Sequence, residues 1–356
     1  MKWSGAATER TNTYLLLSSH INISQAGNNM LIDDLVYGQC KINEAVLVET
    51  IHSRPLQRLK LIAQYGVPQW FWDVPGFSRY EHSVGVMLLL RKLGAGMEEQ
   101  LSGLTHDVSH TAFSHVTDRI FGDPFQGHPQ DERHFDFLMA SELFGILKRH
   151  GFDPARVADI EAHPLLEREA PDLCADRIDY SLREFYFGAL NGTLSSYVES
   201  LRVVDGRIVF DNQQTAESFA RHYLVAHSRK WAGLEKTVKQ HLFAELLKTA
   251  LRENVISISD LFEDDDYVMR KLASSTNKKI RAEFMRLTKP VDINTKSRDA
   301  IELRRRQRHV DPEFLKDGRL VRVSEANEKY RALLQKQKNI HSRPLRVSIL
   351  PSPPIR

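Results

Sequence analysis

Between residues 79 and 134, histidine and aspartate crowd into otherwise apolar, helix-forming sequence: His82, His106, Asp107, His110, His115, Asp118 and His134. Adjacent His106 and Asp107 would point about 100° apart on a helix, yet at a helix end both can reach one ion between them. His110 follows one turn later. Imidazole nitrogen with carboxylate oxygen suits divalent Mn, Fe, Co, Ni or Zn, and Mg where water completes the shell. The pattern does not choose among these metals.

The surrounding sequence has a helical period. Val48, Ile51, Leu56, Leu59 and Ile62 predict a helix interrupted near Pro55. Val86, Leu89, Leu90 and Leu93 predict another that stops at Gly94 or Gly96. Further helices are expected near 97–107, 133–150, 155–163, 172–190, 213–229, 232–254, 258–273, 277–287 and 324–338. Two stretches, 203–210 and 315–321, instead centre a β pattern on Asp205-Gly206 and Asp317-Gly318, the strongest short hairpin signal. The expected organisation is a weakly ordered segment 1–30, a main domain 31–287, and a basic C-terminal segment 288–356. That last segment would begin with a linker over 288–312, carry a hairpin and a helix, and end in a Pro-rich tail. The hexapeptide Ile51–Leu56 recurs letter for letter at Ile340–Leu345, too short to count as a structural repeat.

The chain has 356 residues, 42% of them hydrophobic and 27% charged, which is enough to bury a sizeable core. No apolar run near the motifs approaches the roughly 20 residues of a membrane-spanning helix. The first residues lack a secretory signal core, so the expected location is the cytoplasm. Cys40 and Cys174 have no CxxC partner and read as free thiols. Charge is uneven: residues 291–356 hold 16 Lys/Arg against 8 Asp/Glu, whereas the rest holds 33 against 38. The densest basic patch is Arg304, Arg305, Arg306 and Arg308. It suits phosphates, nucleic acid or an acidic neighbour, unless it is simply a solvated helix face.

Arg79-Tyr80-Glu81-His82-Ser83-Val84-Gly85-Val86 and the run from Leu104 to His115 around His106-Asp107 look like the first two motifs of the HD superfamily. Ala175-Asp176-Arg177-Ile178-Asp179-Tyr180 with Leu182-Arg183-Glu184 resembles the third. With Leu56-Gln57-Arg58-Leu59 upstream, they are similar to the branch of deoxynucleoside triphosphate triphosphohydrolases, over about Leu31 to Leu287. The resemblance implies a mostly α fold, an HD-domain helical bundle, here with one or two small β-hairpins. It implies one divalent metal ion on His82, His106, Asp107 and Asp176, and hydrolysis of a nucleotide substrate to deoxynucleoside and inorganic triphosphate. Alternatives are a phosphatase or nucleotidase acting on another phosphoester, and a nucleic-acid or nucleotide-binding protein of low turnover using the basic segment. A homo-oligomer is expected by analogy.

By the same resemblance His110, His115 and His134 fall where phosphate-contacting and general acid or base histidines stand, with Asp118 orienting His115. Gln57, Arg79, Arg177 and Tyr180 would contact substrate. The alternatives are a salt bridge to a metal-binding carboxylate for Arg79 or Arg177, and core packing for Tyr180. One departure stands out: the family pattern commonly has Glu after the third-region His, but here Phe135 follows His134. Asp131 and Glu132 precede it and could supply that carboxylate.

Overall fold

The computed structural model describes residues 21–26, 29–67, 71, 76–121, 131–188, 194–287, 292–295, 300–305 and 307–350. It opens with an antiparallel meander of β1 (Ile21–Ala26), β2 (Asn29–Asp34) and β3 (Gly38–Ile42). In β2 exposed and buried residues alternate, so Met30 and Ile32 enter the core and Asp34 ends the strand buried. This corrects the expectation of weak order over 1–30 for residues 21–26 and 29–30; residues 1–20 lie outside the described ones.

Helices follow: α1 (Ala45–His52), α2 (Arg54–Arg58), α3 (Arg79–Lys92), α4 (Met97–Thr105), α5 (His115–Phe121), α6 (Asp131–Ala140) and α7 (Glu142–Arg149). The interruption near Pro55 is real, with Ser53 between α1 and α2 and Pro55 in the first turn of α2. The single helix expected over 133–150 is two, because the Ser141 hydroxyl accepts from Leu143 N and starts α7. Next come α8 (Pro154–Ala158), α9 (Ala175–Phe187) and α10 (Leu194–Ser200).

The centre is α3. A capping box starts it: Ser78 Oγ accepts from Glu81 N, and the Glu81 carboxylate accepts from Ser78 N at 2.7 Å. Every residue from Arg79 to Leu90 is buried. Tyr80, Val84, Met87 and Leu88 join one apolar cluster, and Val86, Leu89 and Leu90 another. A helix buried all round in this way carries its polar groups into the interior, where each needs a partner.

Both Asp-Gly turns form. β4 (Leu201–Val204) pairs with β5 (Arg207–Phe210), and Asp205 and Gly206 take φ of 50° and 69°. The chain then forms α11 (Gln213–Ala226), a π turn over His227–Trp231, α12 (Leu234–Arg252), α13 (Asp265–Ser274) and α14 (Lys278–Leu287). After β6 (Asp292–Asn294) and β7 (Ile301–Leu303) comes the second hairpin, β8 (Glu313–Lys316) with β9 (Arg319–Arg322), turning at Asp317 and Gly318. α15 (Val323–Ala326), α16 (Glu328–His341) and β10 (Leu345–Leu350) complete it.

Phe314 of β8 pairs in parallel with Phe210 of β5, joining the two hairpins in one four-stranded sheet. Val310, Phe314, Val323, Tyr330 and Leu334 enter the same apolar cluster as Val86 and Leu89. The described part of the segment read as a linker, 288–312, contributes β6 and β7, both paired with β10. The helical class therefore holds, with three small sheets among the described residues where one or two hairpins were expected.

Candidate metal centre and active site

Four residues from three elements converge on one point. His82 lies one turn into α3, His106 caps the C-terminal end of α4 with Asp107 next to it, and Asp176 is the second residue of α9. Donor atoms of His82, His106 and Asp107 lie within 4.8 Å of one another. Asp176 Oδ1 is 2.8 Å from His82 Nε2 and 3.6 Å from His106 Nε2. The structure thus brings together all four residues singled out as ligands.

Behind them runs a polar relay to which the sequence motifs had assigned no role. His82 Nδ1 donates to Asp179 Oδ2 at 2.7 Å. Asp179 accepts from Arg183 Nε at 2.9 Å, and Arg183 donates to Asp34 Oδ2 of β2 at 2.8 Å. Asp179 lies one turn beyond Asp176 on α9, so its place was visible in the motif, whereas Asp34 is remote in sequence. Gly85 makes room: a Cβ there would stand 2.1 Å from both Arg183 Nη2 and Asp179 Oδ1. The His106 ring is held through Nδ1 and the carbonyl of Gly103, 2.7 Å apart.

The electrostatics arise from burial and pairing. Burial opposes ionisation of Asp107, but Arg79, whose Nη1 donates to Oδ2 at 2.6 Å, together with His106 and His110 outweighs it and holds the carboxyl well below its usual range. Burial likewise opposes ionisation of Asp176, and the His106 ring 3.6 Å away and the hydrogen bond to His82 hold it low. For His82 burial favours the neutral ring, but hydrogen bonds to Asp176 and Asp179 win and raise it to about 9. A divalent cation at this point would take the place of the proton on His82 Nε2.

The residues fit such a cation. His106 Nε2 is buried without a hydrogen-bond partner. Beside the histidines, the carboxylates Asp34, Asp107 and Asp179 are paired with the guanidiniums of Arg79 and Arg183, and Asp176 stands with them without an arginine ion pair among the described residues. With neutral histidines two negative charges remain, the amount a divalent cation cancels. Nitrogen and oxygen donors without a thiolate argue for a catalytic rather than a closed structural site.

His110 Nε2 lies 3.0 Å from Asp107 Oδ1, and burial, then Arg79, lower its pKa to about 4. His134 is buried with both ring nitrogens unpartnered, and burial, then His106, lower it to about 4. Phe135 points outward, 48% exposed. The Asp131 and Glu132 side chains considered as substitutes lie outside the described residues. His115 Nδ1 stands 3.2 Å from Asp118 Oδ2, on the rim of the cleft beside the centre.

Tyr180 connects the two. Its ring is 6.3 Å from that of His82, and it lines the cleft with Tyr65, Phe77 and Trp231. Two further expected contacts point elsewhere. Gln57 Nε2 donates to the Ile51 carbonyl at 2.6 Å and does not line the cleft. Arg177 donates to Asp172 O at 2.6 Å, to Arg168 O and to Cys174 Sγ, tying the loop before α9. Those bonds occupy it, and its carboxylate partner among the described residues is Glu167 at 3.3 Å, whereas Arg79 pairs with Asp107. Cys40 and Cys174 are free thiols. Among the described residues no helix is long and apolar enough to cross a membrane.

The fold and this centre define a helical His/Asp metal scaffold, and comparison with known proteins agrees. The HD domain profile matches residues 79–183. The chain is 36% identical over 315 residues to YdhJ of Bacillus subtilis, covering 85% of this chain and 94% of that protein. It is 36% identical over 213 residues to the metal-dependent phosphohydrolase cns2 of Cordyceps militaris, covering 58% of this chain and 61% of that one. The deoxynucleoside triphosphate triphosphohydrolase SAMHD1 homolog of Dictyostelium discoideum is 22% identical over 300 residues, 71% of this chain and 56% of that protein. The chain belongs to the HD-domain metal-dependent phosphohydrolase superfamily.

Proposed function

We propose that the protein hydrolyses deoxynucleoside triphosphates to deoxynucleoside and inorganic triphosphate, with His82, His106, Asp107 and Asp176 holding one divalent cation. The observation that carries this reading is the centre's net charge of minus two beside a cleft walled by aromatic rings. Such a cation, when bound, lowers the pKa of coordinated water and neutralises charge on phosphoryl oxygens. The name of the Dictyostelium relative points to the same substrate class.

The chain's own residues divide the remaining work. Arg79 fixes Asp107 with one terminal nitrogen, and its other, Nη2, is buried without a partner and is available to a phosphate oxygen. His115, oriented by Asp118, delivers a proton to the leaving nucleoside oxygen in this reading. His110 and His134, kept neutral by burial, orient phosphate through hydrogen bonds rather than through charge. Tyr180 offers a ring face to the sugar. Gln57 and Arg177 take structural roles in this reading.

The test is incubation with each of the four deoxynucleoside triphosphates, alone and mixed, with Mg²⁺ or Mn²⁺, and separation of products by ion exchange. Deoxynucleoside with inorganic triphosphate is the expected result. Release of orthophosphate would move the assignment to phosphomonoesters, and no turnover of any nucleotide would sink it.

A further inference from the structure

The basic patch of the C-terminal segment turns partly inward. Arg305 and Arg308 line the cleft beside the metal centre, together with Arg119 of α5 and Lys236 of α12. The Arg308 guanidinium lies over the Tyr180 ring at 5.3 Å from its centroid, and Lys236 Nζ lies over the Tyr65 ring at 4.8 Å. Lys236 is only 6% exposed. Arg305 donates from Nη2 to the carbonyl of Ile340 at 2.7 Å, which pins it to the end of α16, and its Nε is buried without a partner.

The carboxylates lining the cleft are Asp118 and Glu184, and both are committed. Asp118 holds His115. Glu184 accepts from the Tyr65 hydroxyl at 2.5 Å and from Trp231 Nε1 at 3.3 Å, and it is the ion-pair partner of Lys230. Among the described residues, Arg119, Lys236 and Arg308 form no ion pair with a carboxylate. Arg119, Lys236, Arg305 and Arg308 thus outnumber the two carboxylates of the cleft, and enclosing such an excess of cations is costly unless an anion comes to them.

We propose that Arg308 and Lys236, supported by Arg119 and Arg305, form an anion site for the phosphates of the substrate that lie beyond the reacting one. The site makes the enzyme selective for polyphosphate over monophosphate esters. It rests on the reading of the metal centre as the place where a phosphoester is hydrolysed. Its substance is separate, because the HD domain match, 79–183, contains Arg119 but neither Arg308 nor Lys236. Substrate selection then depends on the C-terminal segment, which packs into the main core through Val310, Phe314 and Tyr330. Of the patch that suggested polynucleotide binding, at least Arg305 and Arg308 serve this wall.

The experiment uses the full chain at fixed free Mn²⁺ and titrates inorganic tripolyphosphate and, separately, orthophosphate by calorimetry. Wild type should bind tripolyphosphate at least about tenfold more tightly, each additional charged phosphate meeting a fixed cation. Arg308→Gln and Lys236→Met should each erase most of that preference, with orthophosphate affinity, metal content and melting temperature little changed. Arg308→Lys should restore part of it. Equal affinity for the two anions in wild type would overturn the proposal, as would an unaltered preference in folded Arg308→Gln. If Lys236→Met does not fold, Arg308→Gln and Arg119→Gln still decide. Should wild type turn out to cleave monophosphate esters while the variants lose tripolyphosphate binding, the proposed reaction and the selectivity fall and the anion site alone stands.

Discussion

The metal centre and the wall of the cleft beside it are built on opposite electrostatic plans. At the centre almost every charge has a partner: Asp107 meets Arg79, His82 sits between Asp176 and Asp179, and Arg183 sits between Asp179 and Asp34. The balance left over is negative and suits a cation. Along the wall Arg119, Lys236 and Arg308 have no carboxylate partner among the described residues, and the balance left over is positive. A centre that must hold an ion rigidly pairs most of its fixed charges, whereas a surface that must release its ligand keeps charges open for it.

The largest expected effect breaks the first plan. His106→Ala should lose the metal and, on the order of 10³-fold or more, the hydrolytic rate. The fold should survive, because α4 is anchored by Leu101 and Leu104. Elemental analysis, turnover and circular dichroism read the three outcomes, and retained turnover would refute the assigned centre. Adding Asp107→Ala should cost a further 3–5 kcal/mol or so of stability, since it strips a fully buried Arg79 of its counter-charge. Next in size is Asp179→Asn. The relay that fixes the His82 tautomer weakens, and metal affinity should fall by about 10- to 100-fold while all four ligands remain. Unchanged affinity in a competition titration would show the relay to be structural only.

The two plans were unequally legible in the sequence. His82, His106, Asp107 and Asp176 stood out because each motif is short and sits at a helix end or in a first turn. The Asp-Gly turns at 205–206 and 317–318 were readable for the same local reason, since positive φ at both positions favours those residues. Asp34 and Lys236 gave no signal, because their meaning comes from partners far along the chain, Arg183 for one and the cleft for the other. Gln57 shows the reverse case: it belongs to a recognisable motif, and its side chain donates to the Ile51 carbonyl instead of lining the cleft. The repeated hexapeptide makes the point most directly. At Ile51–Leu56 it ends α1 and opens helix α2, whereas at Ile340–Leu345 it ends α16 and opens strand β10. Six identical residues can close a helix locally, but pairing with β6 and β7 makes the chain after the second copy a strand.

A smaller effect is expected where α13 clamps the loop that presents His115. Asp265 is buried and accepts from Phe113 N at 2.7 Å and Ala63 N at 2.9 Å. Phe113 and Ser114 take positive φ of 58° and 44°, so the loop depends on such outside bonds. Burial raises Asp265 to about 7 against those two hydrogen bonds. A carboxyl raised in the fold binds its proton more tightly there than in the unfolded chain. Its stabilising contribution is therefore complete below about pH 4 and is lost as pH rises through 7. Asp265→Asn keeps one acceptor of two, so it should cost roughly 1–3 kcal/mol at pH 5. The gap from wild type should narrow by pH 8. Urea denaturation at both pH values measures this, and parallel wild-type and variant stabilities across the range would exclude the clamp as the titrating group.

The smallest effect sharpens the second plan. Lys236 is lowered to about 8, first by burial and then by Arg308, Lys230 and Arg119, with Glu184 opposing them and the Tyr65 ring beneath. The fold disfavours the charged form, so the unfolded chain binds more protons between about 8 and the ordinary lysine value near 10.4. Stability should rise with pH across that window, in the opposite sense to Asp265. Anion binding should do the reverse, because only the ammonium form attracts phosphate. Tripolyphosphate affinity is expected to weaken severalfold between pH 7 and 9 in wild type, and to follow only the anion's own ionisation in Lys236→Met. Identical pH profiles for the two proteins would remove Lys236 from the wall. A difference confined to the range above 8 would place its proton in the binding step itself.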